Sequence, residues 1–257
     1  MIPGNISLRR LAPFAATFAA IYGTLRLVPI SAWIGASGRA FTASEFFAPL
    51  LGIILGPYAG ALAAVIGTFV GISLTGRMNF FGLDFLPVMM NALVLGFLMR
   101  KKRLFSVLLY SALLAVFFIH PSTVHFVSVP LPNGTVGLPF VWLHIIAWLL
   151  LLSPLGTRSA IWISERSVPE ATIAAFVLAL IGTTAQHLAG TLLYATMATP
   201  LMGIQPEALQ VAWIAVFYVY PFERLMIIMA STFIAVAVAR AVGAAKLFRA
   251  TDKKTTS

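Results

Sequence analysis

The chain alternates between long apolar runs and short stretches that carry charge, glycine or proline. An α-helix needs about 20 residues to cross the hydrocarbon of a bilayer, and a charge in the middle of a span is costly, so charges should separate the spans. This pattern predicts eight membrane-spanning helices. They cover residues 11–29, 44–56, 58–75, 84–99, 104–119, 139–155, 170–199 and 208–240.

Two breaks between these segments are short. Gly56 and Pro57 stand between the second and third segments, and a Gly-Pro pair ends a helix, so residues 44–75 are predicted to form a tight helical hairpin. Four basic residues, Arg100 to Arg103, separate the fourth and fifth segments almost without a loop. These two helices should therefore also be antiparallel neighbours.

Composition supports the membrane interpretation. Of the 257 residues, 60% are hydrophobic and only 9% are charged, a far more apolar balance than soluble domains have. We therefore predict an all-α, polytopic, multi-pass protein of the cell membrane, with residues 1–257 forming a single transmembrane domain. The first apolar segment is expected to be kept as a membrane helix, since no signal-peptide cleavage pattern follows it.

Basic residues predict the orientation. The net charge of +10 could suggest nucleic acid, but short cytoplasmic loops of membrane proteins carry an excess of Lys and Arg. With both termini in the cytoplasm, thirteen of the 17 basic residues fall on the inner side. We therefore expect no nucleic-acid partner, and we predict that residues 241–257 are a basic cytoplasmic tail beside anionic lipid. The four outer basic residues are Arg26, Arg39, Arg77 and Arg224.

Polar side chains at membrane depth are the candidate functional residues, because burying them in a bilayer is costly unless they serve a role. Counted from the span ends, they all fall in the outer half, which predicts a water-accessible cavity open to the outside. The outer loop over 30–43 adds a tryptophan for stacking and an arginine, and it could form a lid, as could the longer loop over 120–138. The predicted substrate-binding residues are Arg26, Trp33, Arg39, Asn79, Asp84, Asn91, Gln186, His187, Glu223 and Arg224.

Glu223 and Arg224 are adjacent, so their side chains point about 100° apart on a helix. We expect one of them to face the cavity and the other to pair with a neighbouring helix, such as the one that carries Arg26. An interfacial pair that reaches lipid headgroups is the alternative. His144 is interpreted as a packed, hydrogen-bonded interior residue. The outer arginines, set against Glu45, Asp84 and Glu223, favour an anionic or zwitterionic ligand.

Known catalytic and nucleotide-binding motifs do not occur in the sequence. There is no H-E-x-x-H, no G-x-S-x-G and no Walker loop, and there is no cysteine. We therefore predict no metal site and no cofactor, and a chain that cannot drive ATP-dependent transport by itself. Two alternatives stay open: a polytopic membrane enzyme that uses Glu223 or His187 as general acid or base, and a secondary transporter or channel that needs no ATP.

Two regions resemble a known family. The stretches "LAPFAATFAAIYGTLRLVP" and "FFAPLLGIILGPYAGALAAVIGTFVG", with the closing "YPFERLMIIMASTFIAVAVAR", resemble the substrate-binding S components of energy-coupling factor (ECF) transporters. The matching features are the A-x-x-x-A spacings, the Gly-Pro turn and a glycine-spaced helix. The alanines that form these spacings in the first helix are Ala15, Ala16, Ala19 and Ala20.

The resemblance implies a six-helix core with extra helices and no enzymatic activity. It also implies the alanine face as a docking site for a transmembrane coupling subunit that is driven by two ATPase subunits. The substrate would be a vitamin-sized organic molecule bound from the extracellular side. Residues from about 104 to 200 do not align with the family. Ile2 and Pro3 stand where the metal-transporting members carry histidine, so nickel or cobalt is not expected.

Overall fold

The computed structural model describes residues 8–32, 40–165 and 167–255. Nine α-helices account for most of this part of the chain, and a π-helical turn over Leu51–Leu55 extends the second helix. The helices are α1 Leu8–Leu25, α2 Ser44–Leu50, α3 Pro57–Thr75, α4 Phe85–Met99, α5 Arg103–Ile119, α6 Trp142–Leu152, α7 Pro154–Glu165, α8 Val168–Ala198 and α9 Pro206–Thr255. The strands are β1 Pro29–Ala32, β2 Ala40–Thr42, β3 Phe126–Leu131 and β4 Gly134–Pro139.

Helix length separates the predicted spans into two groups. Among the described residues, α3, α8 and α9 up to Ala241 are long and apolar enough to cross a bilayer, and α6 with α7 makes a fourth if the bent pair counts as one span. Four shorter apolar helices cover the remaining predicted segments. The helical, apolar architecture is compatible with the predicted membrane protein, whereas the number of eight spans stays a prediction.

The helix breaks have local causes. The predicted break between the second and third segments is confirmed, since the π turn ends at Leu55 and Pro57 begins α3. Gly56 between them has a φ of 81°, a left-handed conformation that favours glycine. Proline is tolerated at the first helical position, because no backbone N–H is needed there.

The predicted sixth span over 139–155 is wrong as one continuous helix. The chain forms α6 and α7, whose axes are bent by 76° at Ser153. Ser153 is extended, and Pro154 follows it as the first residue of α7. The residue before a proline disfavours the helical region, which accounts for the break. The Ser153 hydroxyl then accepts a hydrogen bond from the backbone N–H of Leu155 at 3.2 Å.

Helix α8 forms the centre of the bundle. It packs against α4, α6, α7 and α9, and most of its side chains are buried. Small residues allow this close packing: a Cβ at Gly182 would meet the Asn91 and Leu95 side chains of α4. A helix that is buried on nearly all sides shows little amphipathic pattern, which agrees with the apolar run in its sequence.

The two ends of the bundle differ in chemistry. The basic turn between α4 and α5 lies at one end, where the Arg103 guanidinium donates hydrogen bonds to the backbone carbonyls of Leu151 and Leu152 at the end of α6. Arg26 follows α1 at the opposite end, and the α3–α4 loop joins the same end. The candidate polar residues lie toward this second end.

The strands add two antiparallel hairpins to the predicted all-α architecture: β1 pairs with β2, and β3 pairs with β4. The second hairpin lies in the predicted 120–138 loop and extends one residue beyond it, to Pro139. At the other end of the chain, α9 continues to Thr255, so the predicted tail over 241–257 is helical up to that residue. Its cytoplasmic location stays a prediction.

Candidate functional site: a polar and aromatic cavity

A partly open cavity lies between α1, β2, α2, α4, α8 and α9. The volume that the centres of water molecules can occupy inside it is about 130 Å³. One ordered water needs roughly 10–15 Å³ by this measure, so the cavity has room for a small organic molecule. Seven of the predicted substrate-binding residues line it: Arg26, Asn79, Asp84, Gln186, His187, Glu223 and Arg224.

Three predicted residues are placed differently. Asn91 lies on α4 behind the cavity wall, where it is fully buried and reaches the site only through Gln186. Trp33 and Arg39 lie outside the described residues. The adjoining strand β2 lines the cavity with Ala40, Phe41 and Thr42. In contrast, no residue of β3 or β4 is among the described residues that line it, so the longer loop does not form the mouth.

Arg26 and Asp84 form an ion pair at one edge of the cavity, with 3.3 Å between Nη2 and Oδ1. Asp84 also accepts backbone hydrogen bonds from Asn79 at 2.8 Å and from Phe80 at 2.9 Å. Its carboxylate therefore ties the α3–α4 loop to the start of α4 and to the end of α1. The pair has a structural task as well as a place in the lining.

A buried polar chain links four elements. Asn91 Nδ2 donates to Gln186 Oε1 at 2.8 Å, and Gln186 Nε2 donates to Glu45 Oε2 at 2.9 Å. The same carboxylate oxygen lies 3.6 Å from Nη1 of Arg224. These contacts connect α4, α8, α2 and α9 around the cavity. Polar networks of this kind hold their members in fixed positions when each member has its partners.

Glu45 is the functional candidate that sequence reasoning missed. It lies in the first turn of α2 and lines the cavity between Gln186 and Arg224. A signal was present, since a carboxylate inside the predicted span over 44–56 meets the same test of depth as the other candidates. From the sequence, Glu45 counts only in the charge balance of the outer side and is not included among the predicted substrate-binding residues.

Arg224 is the most deeply buried charge in the described structure. The residue is 1% exposed, and its guanidinium carbon lies 4.2 Å from the centre of the Phe41 ring, a cation–π distance. Within the described part of the chain, its Nε and Nη2 atoms have no hydrogen-bond partner. A buried guanidinium with unfilled donors is costly, so an acceptor for these donors is expected to come from a bound molecule or water.

The prediction for Glu223 and Arg224 is confirmed in that Arg224 pairs with a neighbouring helix, and it is wrong in that only one of the two residues would face the cavity. Both residues line the cavity, although adjacent helical positions point in different directions. The ion-pair partner of Arg224 is Glu45 on α2, and not a residue of the helix that carries Arg26. The cavity encloses enough of the α9 surface for both side chains to contribute. The helix that faces Arg224 could not be identified from local sequence.

Two histidines and a tyrosine stack beside the charged groups. His144 Nε2 and His187 Nδ1 are 3.0 Å apart, which joins the rings by a hydrogen bond. The Tyr220 ring stacks on His187 with 5.2 Å between centroids, and its hydroxyl donates to the backbone carbonyl of Phe140 at 2.8 Å. His144 is buried in the interior as predicted, and it positions His187, which lines the cavity.

The alanines of α1 divide between two faces. Ala19 is buried against α3, where its carbonyl oxygen lies 2.6 Å from the Cβ that a side chain at Gly67 would carry, and Ala15 is partly buried. Ala16 and Ala20 are exposed one turn apart, on a face about 100° around the helix from the first pair. The A-x-x-x-A spacing at 15 and 19 therefore serves packing within this chain. Only the second spacing is open to a partner.

Known proteins do not identify the site. Comparisons of the chain with protein-family models, with curated proteins and with solved structures return no match. Among the described residues, no group of three or more histidine or carboxylate side chains is arranged to hold a metal ion. The geometry of the cavity is therefore the basis for assigning a function.

Proposed function

We propose that this protein is the membrane-embedded substrate-binding subunit of an ATP-driven, ECF-type importer, which takes up a vitamin-sized organic solute from the extracellular side. The observation that carries the proposal is the partly open cavity at one end of an apolar helical bundle. Polar side chains from the end of α1, from α2, from the α3–α4 loop and from α8 and α9 converge on it. Such convergence of polar groups within an apolar wall is typical of small-molecule sites.

The wall of the cavity suits an organic solute. Aromatic side chains give flat, apolar contact area, and the charged groups beside them give orientation and specificity. The polar groups sit among apolar helices, where such groups are costly unless they serve a role. The aromatic residues of the lining are Tyr22, Phe41, Phe80, Tyr194, Trp213 and Tyr220.

The exposed alanine face of α1 is the proposed docking site for the coupling subunit. Alanines four residues apart leave a flat helix surface, which lets a second helix pack closely in a membrane. Ala16 and Ala20 occupy that surface. The sequence has no Walker loop, so the two ATPase subunits of the complex would supply the energy.

Enlarging this face tests the assembly. We expect Ala16→Leu with Ala20→Leu to abolish copurification with the coupling subunit, because the added side chains separate the two helices. The double variant Ala112→Leu with Ala115→Leu, on the exposed face of α5, is the matched control and should copurify normally. Equal recovery of the complex with both double variants would contradict the docking site.

Filling the cavity tests binding separately. A Cβ at Gly190 would meet only Pro87, at 3.7 Å, which is ordinary contact. Gly190→Ala should stabilise α8 by about 0.5–1 kcal/mol through helix propensity, while its methyl group narrows the cavity. We therefore expect an equal or higher Tm together with reduced retention of solute, measured by mass spectrometry of small molecules in the purified protein. Unchanged retention would place the solute elsewhere.

A second candidate function is a membrane enzyme, which the His144–His187 hydrogen bond favours. His187 lines the same cavity as Glu223, so an acid and a base are both present near a bound molecule. Turnover of the retained solute by the purified protein, abolished by His187→Gln, would support the enzyme. ATP-dependent uptake that needs the partner subunits, without chemical change of the solute, would support the importer.

A further inference from the structure

Among the described residues that line the cavity, negatively charged groups outnumber positively charged ones. Its lining includes the guanidinium groups of Arg26 and Arg224 and the carboxylates of Glu45, Asp84 and Glu223. Counted with histidine neutral, these five groups sum to one negative charge. Arg77, one of the outer arginines behind the expected anionic or zwitterionic ligand, is exposed to solvent and does not line the cavity.

One of the three described carboxylates that line the cavity takes no part in its ion pairs. Asp84 is engaged by Arg26 and by two backbone N–H groups. Glu45 is engaged by Gln186 and by Arg224. Glu223 lines the cavity, is partly exposed and makes no hydrogen bond or ion pair within the described part of the chain. A negative charge that faces a partly open cavity with largely apolar walls is screened less than at the protein surface, so it attracts a cation there.

The surrounding surface matches an organic cation better than a metal ion or an ammonium ion. Six aromatic side chains of the described residues line the cavity, and the faces of aromatic rings attract cations that are large and weakly hydrated. One of these rings, Phe41, already lies against the Arg224 guanidinium. The unfilled Nε and Nη2 donors of Arg224 offer a position for an oxygen atom of the same solute.

We propose that the solute is a small organic cation with a hydrogen-bond acceptor oxygen, bound with its positive charge against Glu223 and its apolar part against the aromatic wall. This inference rests on the proposed function, because it names the class of solute for the same cavity. Binding would neutralise the excess carboxylate. It would also bring an acceptor to the unfilled Nε and Nη2 donors of Arg224.

Four probes of nearly equal shape separate the charge from the other contacts. Choline is the cation, 3,3-dimethylbutan-1-ol its neutral analogue, glycine betaine the zwitterion and 3,3-dimethylbutanoate the anion. Their affinities for the purified full chain are measured by isothermal titration calorimetry in detergent. We expect choline to bind at least about tenfold more tightly than the neutral alcohol. Betaine should bind less tightly than choline, and the anion should bind most weakly.

Substitution of one carboxylate tests the assignment to Glu223. Glu223→Gln should reduce the ratio of choline to alcohol affinity to near one, because it removes the negative charge and keeps the shape. Glu207→Gln changes an exposed glutamate on the first turn of the same helix, outside the cavity, and should leave the ratio unchanged. A melting temperature measured for each variant separates loss of folding from loss of charge.

Several results would overturn the inference. These are equal binding of choline and its neutral analogue, tighter binding of betaine or of the anion, no binding of choline, or an unchanged affinity ratio in Glu223→Gln. Failure of the proposed function looks different. If the chain copurifies with its ATPases but retains an anionic solute, the importer proposal stands and the proposal of a cationic solute is refuted. If the chain prefers choline but never assembles with a coupling subunit, the proposal of a cationic solute stands and the importer proposal is refuted.

Discussion

Replacing Glu45 by glutamine is expected to lower the free energy of unfolding by about 3 kcal/mol, the lower end of the cost of breaking a buried ion pair. The substitution removes the carboxylate that lies 3.6 Å from Nη1 of Arg224. The guanidinium stays charged at any accessible pH, so it cannot relieve the loss by giving up its proton. Glu223 directly precedes Arg224 in the chain, and its negative charge limits the cost of losing Glu45.

A paired substitution distinguishes the cost of leaving Arg224 without its charged partner from the cost of changing the packing at this position. Glu45→Leu combined with Arg224→Met replaces both ions by apolar side chains, and such replacements are often neutral or stabilising. The double variant should therefore recover most of the stability that Glu45→Gln loses. Glu207→Gln, on the exposed first turn of α9, should stay within about 0.5 kcal/mol of the parent protein.

Equilibrium unfolding in detergent micelles, followed by tryptophan fluorescence, measures these differences. A loss below about 0.5 kcal/mol for Glu45→Gln would mean that the pair is solvated and of the weak surface type. A double variant as unstable as the single one would mean that the apolar pair does not compensate for the acceptor that Glu45→Leu removes from the hydrogen bond with Gln186.

Gly96→Ala is expected to cost about 2 kcal/mol or more, because two helices touch through backbone at this position. A Cβ on Gly96 of α4 would overlap the backbone atoms of Gly56 and Pro57 at the start of α3. Backbone cannot move aside as a flexible side chain can. The collision should therefore outweigh the gain of about 1 kcal/mol that alanine brings to a helix interior.

The same change elsewhere is a matched control. A Cβ on Gly137 of β4 meets nothing within 4 Å, so Gly137→Ala should change the stability by less than about 0.5 kcal/mol. Thermal unfolding, followed by the loss of monodisperse protein on size-exclusion chromatography after heating, compares the two variants. A Gly96→Ala protein as stable as Gly137→Ala would show that α3 and α4 can separate without cost.

Much of the local structure could be predicted from sequence. The Gly56–Pro57 break and the positions of the helical segments follow from apolar runs and helix-breaking residues, which act over a few neighbours. The bend at Ser153 was missed, although the residue before Pro154 carried the signal. The span over 139–155 was predicted from hydropathy alone. A bent pair of helices within an apolar run has the same hydropathy as one straight helix, so hydropathy could not reveal the bend.

The candidate residues could be selected from sequence by their depth within the predicted membrane spans, and seven of them line one cavity. Their roles could not be derived in the same way. The ion pair of Arg224 with Glu45 joins residues far apart in the chain, and the orientation of α1 decides that Ala19 is buried while Ala20 is exposed. Helix rotation and neighbour identity depend on packing between distant segments, which hydropathy does not encode.

By itself, the sequence determined that this chain forms apolar helices with polar side chains gathered toward one end, because burial and helix termination depend on residue type and near neighbours. Only the tertiary structure decided that Glu45 belongs to the site, that Asp84 is taken by Arg26 and that Glu223 is left as the excess charge. Electrostatic partners are set by distances of a few ångströms between separate helices, and those distances exist only once the helices pack.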